Sequence, residues 1–265
     1  MIDQTELGIA LRGFAHARSP LVVCDYDGVL AQIVDDPGQA FPVSESVDAL
    51  HTLASLADTH VAIVTGRSLR DLAALCAFPP QIHLVGSHGA EFDTGFERDI
   101  DETQLRLLEQ VTHELTQLAA SHDGLIVETK PASVAFHYRN APQQTGEVAL
   151  AAVRRGPASR PGVRVKEGKR VIELAVIDTN KGTAVDRLRQ RVDADAVLFV
   201  GDDVTDEDAF ATLNSGDIGI KVGSGPTKAR FRVTDTDDTA RTLVLLCEMR
   251  RACLEADPQP HPSDR

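Results

Sequence analysis

Leu21-Val22-Val23-Cys24-Asp25-Tyr26-Asp27-Gly28-Val29-Leu30 is the stretch that decides the fold. Small or branched apolar residues run unbroken into a carboxylate, the pattern of a strand buried on both faces of a parallel sheet. Asp25 then stands at the carboxyl end of that strand, where open α/β sheets place their ligands. Residues two apart on extended backbone share a face, so Asp25 and Asp27 are able to address one site. Gly28 marks a turn or a close approach. A pair of aspartates at a strand end also serves as an Asx-turn or a helix cap, and only the rest of the chain separates the two readings.

The same pattern recurs. Val61-Ala62-Ile63-Val64 ends in Thr65-Gly66-Arg67-Ser68, and Ile82-His83-Leu84-Val85-Gly86 ends in Ser87-His88-Gly89-Ala90-Glu91. A loose helical period over Glu6 to Ala17 precedes the first strand. A helix capped by Ser44, with Val47, Leu50, Leu53, Ala54 and Ala57 on one side, precedes the second. From about Asp93 to Ala175 the pattern changes to a long helix (Leu105, Leu108, Val111, Leu115, Leu118) and alternating strands. Val134 to Arg139 is one such strand, and a helical stretch lies near Glu147 to Arg154. Val163 to Val165 and Arg170 to Leu174 form a hairpin through Lys166-Glu167-Gly168-Lys169. Alternation predicts an antiparallel sheet with one covered face. Past Asp178 the buried strands return: Lys181-Gly182 opens a helix, and Ala196 to Val200 ends in Gly201-Asp202-Asp203-Val204-Thr205-Asp206-Glu207-Asp208. A short strand over Asp217 to Val222, a helix over Thr239 to Leu254 and a disordered polar tail from Asp257 complete the reading. The fold class is α/β: a doubly wound (Rossmann-like) parallel-sheet core at 1–92 and 176–265, with an inserted α+β cap at 93–175.

Composition narrows the partners. The formal net charge of −13 over 265 residues excludes nucleic acid or an anionic membrane as the main partner. A phosphate-bearing ligand must therefore meet a local arrangement of cations. Met1 to Ser19 lacks the apolar core of a signal peptide, and no apolar run is long enough to span a bilayer, so a cytoplasmic monomer is the expectation. The four cysteines (Cys24, Cys76, Cys247, Cys253) contain no CxxC pair and read as free thiols.

Three strands of one sheet end in reactive groups: Asp25 and Asp27, then Thr65, then Asp202 and Asp203. Unscreened aspartates repel by ~4 kcal/mol per pair at about 4 Å and an effective dielectric of about 20. Such a cluster is either partly protonated or neutralised by a cation, and oxygen-only donors favour Mg²⁺ over zinc. Asp206, Glu207 and Asp208 suit a helix N-terminus at least as well as a site.

Asp-x-Asp-Gly, Thr-Gly-Arg, Lys-Gly and Gly-Asp-Asp, in this order after successive strands or at a helix start, resemble the four motifs of the haloacid dehalogenase superfamily. More narrowly, the string from Gly201 to Phe210, Gly86 to Glu91, Glu128-Thr129-Lys130 and His137-Tyr138-Arg139 resemble the trehalose-6-phosphate phosphatases. The resemblance implies that Asp25 is the nucleophile and Asp27 the general acid and base. It implies that Thr65 and Lys181 stabilise the phosphoryl group, and that Asp25, Asp27 (through its carbonyl), Asp202 and Asp203 serve one Mg²⁺. Phosphate and sugar contacts would come from Gly66, Arg67, His88, Glu128, Lys130, Arg139 and Glu173. A solvated strand face competes for Arg139 and Lys169, a backbone-bonded structural role competes for His88, and His137 stays open. The implied partner is trehalose 6-phosphate. Sucrose 6-phosphate, glucosyl- or mannosyl-3-phosphoglycerate, a phosphohexomutase reaction and a phospho-accepting signalling module are the alternatives.

Overall fold

The computed structural model describes residues 6–93, 95–96, 100–168 and 170–256. Lys169 and the tail from Asp257 lie outside the described residues. The chain divides into two compact units, residues 1–93 with 180–265, and residues 94–179.

The first unit begins with helix α1 (Glu6–Ala15) and strand β1 (Pro20–Cys24), then α2 (Ser44–Ser55), β2 (His60–Val64), α3 (Leu69–Leu75), β3 (Ile82–Gly86) and β4 (Glu91–Phe92). The second unit contains β5 (Gly95–Phe96), α4 (Glu102–Ala119), β6 (Ile126–Lys130), β7 (Ser133–His137), α5 (Gln143–Arg155), β8 (Arg164–Gly168) and β9 (Val171–Ala175). The first unit resumes with α6 (Lys181–Arg191), β10 (Ala196–Gly201), α7 (Glu207–Thr212), β11 (Ile218–Val222), β12 (Phe231–Val233) and α8 (Thr236–Ala256).

In the first unit the strand order is β12-β11-β10-β1-β2-β3-β4, parallel except for β4. Later strands are added outward from β1 through β2 in one direction and from β10 through β11 in the other. The switch point of this doubly wound sheet therefore lies between β1 and β10, which is where such sheets receive ligands. Every residue of β1 is buried because both faces are covered. Val22 and Cys24 pack among residues of α1, α2 and α8, while Leu21 and Val23 pack among residues of α6 and α7.

The second unit carries an antiparallel sheet in the order β6-β7-β9-β8. Val134, Phe136, Ile172 and Leu174 point to one face and form a core with Val111 and Leu115 of α4 and Ala149 and Val153 of α5. Glu128, Ala135, Glu173 and Lys166 lie in register across the sheet, on the other face. The unit runs past Ala175 to Thr179, since Val176 N–H donates to the Ala132 carbonyl and Gln104 Nε2 to the Val176 carbonyl.

Some details differ from the sequence reading. Ser44 is the first residue of α2, not its cap. The cap is Val43, whose N–H is held by the Leu30 carbonyl at 2.8 Å, and the Ser44 hydroxyl turns to Glu45. Edge strands β6 and β12 carry no buried-strand pattern that would announce them. Among the described residues no helix is long and apolar enough to cross a membrane.

Arg250 of α8 ties three parts of the first unit together. It is buried, and it donates to the carbonyls of Ala15, Ala17 and Ala57 and to the Thr59 hydroxyl. These carbonyls follow α1 and α2, where helices leave C=O groups without intrahelical partners. Arg250→Met strands several buried acceptors at once and is expected to cost about 3 kcal/mol, read from urea denaturation. A loss below about 1 kcal/mol, the size of one ordinary hydrogen bond, would mean that water replaces the guanidinium.

Candidate active site

Asp25 follows β1 directly and stays in line with the sheet, its N–H donating to the Val200 carbonyl at 2.9 Å. Its Oδ1 accepts the Tyr26 N–H at 2.7 Å, and its Oδ2 lies 2.6 Å from Lys181 Nζ. Lys181 enters from the first turn of α6, a helix whose start is fixed by reciprocal bonds between Asn180 and Thr183. The same ammonium lies 2.7 Å from Asp206 Oδ1. Asp206 Oδ2 in turn accepts the N–H groups of Asp202 and Asp203 at 2.8 and 2.9 Å. All three charged side chains of this chain of contacts are buried.

Oxygens of Asp25, Asp202 and Asp206 lie within 4.8 Å of one another. Two glycines permit this. A Cβ on Gly28, whose φ is +76°, would stand 2.3 Å from the Asp202 carboxyl carbon. One on Gly201 would stand 2.4 Å from that of Asp206. Gly28 of Asp-x-Asp-Gly is thus required by a carboxylate arriving from the loop after β10, and Gly201 of Gly-Asp-Asp by one folding back within its own loop.

The electrostatics are unbalanced. Burial pushes the Asp25 carboxyl well up, Lys181 pulls it down, and Asp206 and Asp202 push it up again. Burial alone would lower Lys181, but Asp206 and Asp25 more than offset it and keep the ammonium protonated. Three carboxylates against one ammonium leave negative charge in a mostly buried place. A hard divalent cation fits this donor set, which is oxygen only and has no His or Cys among the three. Asp206 has its acceptors committed to Lys181 and two N–H groups, so its part is to organise the loop. It is the residue whose place in the cluster the sequence did not reveal, because an acid at a helix start satisfies the dipole equally well. Asp203 contributes its main chain: its carbonyl accepts from Lys221 Nζ at 3.3 Å. Its carboxylate lies outside the three-acid cluster.

Asp27 is turned to Arg67, which grips both of its oxygens, each at 2.7 Å. The guanidinium also sits 5.5 Å from the centre of the buried Tyr26 ring. Arg67, expected among substrate contacts, therefore has its fork on Asp27. Thr65 is fully buried at the end of β2, and its Oγ1 accepts the Arg67 N–H at 3.2 Å, leaving the hydroxyl proton to be donated elsewhere. Ser87 and His88 are successive residues in the left-handed region, φ 50° and 55°, a strained turn of a kind that clusters at functional sites. The His88 N–H donates to the Thr65 carbonyl, and its ring covers Gly66, where a Cβ would meet it at 2.6 Å.

In the second unit, Lys130 Nζ lies 3.0 Å from Glu173 Oε2, and the Ser133 hydroxyl donates to Glu173 Oε1 at 2.6 Å. Glu128 is 2.7 Å from His137, and that hydrogen bond holds its carboxyl below the usual range. The structure thus joins Lys130 with Glu173, and Glu128 with His137. Arg139 stands exposed in the turn after β7.

The trehalose-phosphatase family model matches residues 23–237. The trehalose-phosphate phosphatase of Mycobacterium marinum is 39% identical over 214 residues, 77% of this chain and 54% of its own length. That of Mycobacterium tuberculosis is 36% identical over 256 residues, 91% of this chain and 63% of its own. The chain spans roughly half to two thirds of the length of these curated relatives. Among solved structures, the C-terminal domain of Candida albicans trehalose-6-phosphate phosphatase superposes with a TM-score of 0.78 at 24% identity, covering 92% of this chain and 97% of that one. The Aspergillus fumigatus trehalose-6-phosphate phosphatase gives 0.65 at 27% identity, covering 91% and 97%.

Lys181→Met leaves Asp25 and Asp206 buried without their counter-charge. It should cost about 3–5 kcal/mol in chelator at neutral pH, by urea denaturation. Without the ammonium the Asp25 carboxyl, which burial already pushes up, lies still further above its unfolded value, so its protonation stabilises the folded state as pH falls. The deficit relative to wild type should therefore shrink between about pH 7 and pH 5. A deficit independent of pH would show that the ammonium is not what balances these acids.

Proposed function

We infer the reaction from one premise: the chain belongs to the trehalose-phosphatase family. On that footing it is a phosphoric monoester hydrolase that releases phosphate from trehalose 6-phosphate. The observation that carries this reading is the placement of Asp25 at the sheet's switch point, against Lys181 and beside the Asp202 and Asp206 carboxylates.

In the first step an Asp25 oxygen attacks phosphorus in line. The new P–O bond forms as the bond from phosphorus to the sugar oxygen breaks. Asp27 gives its proton to that leaving oxygen, so trehalose departs neutral and Asp25 carries the phosphoryl group. In the second step Asp27 takes a proton from water, the resulting hydroxide attacks phosphorus, and Asp25 leaves as a carboxylate. Arg67 holds Asp27 by both oxygens, so proton delivery requires one of those bonds to be exchanged. Lys181 and the Thr65 hydroxyl would stabilise the charge on the transferring group. Asp25, the Asp27 carbonyl and Asp202 would hold Mg²⁺, which when bound screens the repulsion between nucleophile and phosphate.

Sugar recognition falls to the second unit, residues 94–179. Glu128, Lys130 and Glu173 share the polar face of its sheet. The hydrogen bonds of Lys130 with Glu173 and of Glu128 with His137 can be exchanged for bonds to sugar hydroxyls, and charge-assisted bonds of this kind are strong enough to select a polar ligand.

Phosphate release from trehalose 6-phosphate is expected with Mg²⁺, to stop with chelator, and to fall more than about a thousandfold in Asp25→Asn. A trehalose 6-phosphate rate no better than that on sucrose 6-phosphate or glucosyl-3-phosphoglycerate would overturn the substrate. Stoichiometric phosphorylation without turnover would replace the enzyme with a signalling module. Glu173→Gln should raise KM for trehalose 6-phosphate by about tenfold, a loss of the size set by one unmatched polar contact. An equal rise for a small aryl phosphate would remove Glu173 from sugar recognition.

A further inference from the structure

Strand β11 reads Ile-Gly-Ile-Lys-Val and is buried along its whole length. A lysine in such a strand is out of pattern. Lys221 is only 4% exposed, and an ammonium buried without compensation is costly, so its partners indicate what it serves.

The register places Lys221 opposite Gly201, the residue from which the acidic loop departs. Its Nζ donates to the Asp203 carbonyl at 3.3 Å and lies 3.8 Å from Glu207 Oε1. Glu207 is itself fixed, its Oε2 accepting the Lys228 N–H at 2.7 Å. Its Oε1 is buried and has no hydrogen bond, so the Lys221 ammonium is the charge that faces it. Residues 202–208 contain Asp202, Asp203, Asp206, Glu207 and Asp208. Lys181 grips this loop from α6 through Asp206, and Lys221 grips it from β11 through the Asp203 main chain. Left to itself, a loop so rich in like charges would spread.

We propose that Lys221 is a positioning residue for the cation site: it holds the main chain at Asp203 so that the Asp202 carboxylate already stands beside Asp25 before an ion arrives. It touches neither substrate nor ion. The inference rests on the Mg²⁺ reading above and adds to it the residue that preorganises the loop.

The test is Mg²⁺ binding to the substrate-free protein by titration calorimetry, with thermal denaturation in chelator measured alongside. Lys221→Met keeps most of the side-chain volume and removes the charge; its Kd for Mg²⁺ should rise by about tenfold, as for other partners that orient metal ligands. Glu207→Gln is a milder change expected to act in the same direction by about threefold, and it carries the test if Lys221→Met does not fold. At raised Mg²⁺ the kcat of both variants should recover toward wild type. Wild-type binding with both variants within about twofold of it, whatever their melting temperatures, would overturn the inference alone, since a shift that small lies below the effect of a ligand-orienting partner. Absence of Mg²⁺ binding by the wild type would overturn the metal reading and this inference with it.

Discussion

Lys181 Nζ stands 2.6 Å from Asp25 and 2.7 Å from Asp206, and all three side chains are buried. β1, α6 and the loop after β10 each deliver one member, so the contact fixes three separate segments to one point. Its purpose is not stability. Buried ion pairs often do no better than well-packed apolar side chains of the same volume, because each charge loses its hydration. What the arrangement secures is position: Asp206, held at Oδ1 by the ammonium, presents Oδ2 to the N–H groups of Asp202 and Asp203. The loop is shaped by the same lysine that faces Asp25.

Much of this is legible in the sequence itself. β1, β2 and β10 carry unbroken apolar runs because they are covered on both faces, and their terminal residues identify where a ligand would go. Edge strands lack that signature: β6 alternates with charges, and β12 has only three residues. Asp206 was hidden for a different reason, since one residue type in one position serves either the dipole or the site. Arg250 and Lys221 were invisible in principle. Arg250 answers carbonyls 235 and 233 positions away. Lys221 answers a loop residue 18 positions away. No local periodicity encodes such partners.

The motif glycines show how far a sequence string constrains geometry. At Gly28 the missing Cβ is the space that Asp202 of another segment occupies, and at Gly201 it is the space that Asp206 of the same loop occupies. The carboxylates need their low-volume neighbours as much as their own charge. A string of motifs in order is therefore informative because it encodes contacts between segments as well as chemistry within each.

The two units distribute the work differently. In the first, acceptors and donors are matched so closely that Asp206 has both oxygens engaged and Arg67 has its fork on Asp27. Such matching suits chemistry that must be the same for any phosphate ester. On the polar face of the second unit, side-chain bonds join Lys130 and Ser133 to Glu173, and His137 to Glu128. Side-chain partners are replaceable in evolution and exchangeable on binding, whereas a register between strands is not. A sheet face built this way can change its ligand while the buried contacts of the first unit stay fixed. That separation is the physical reason why fold and core motifs indicate a reaction class more firmly than a substrate.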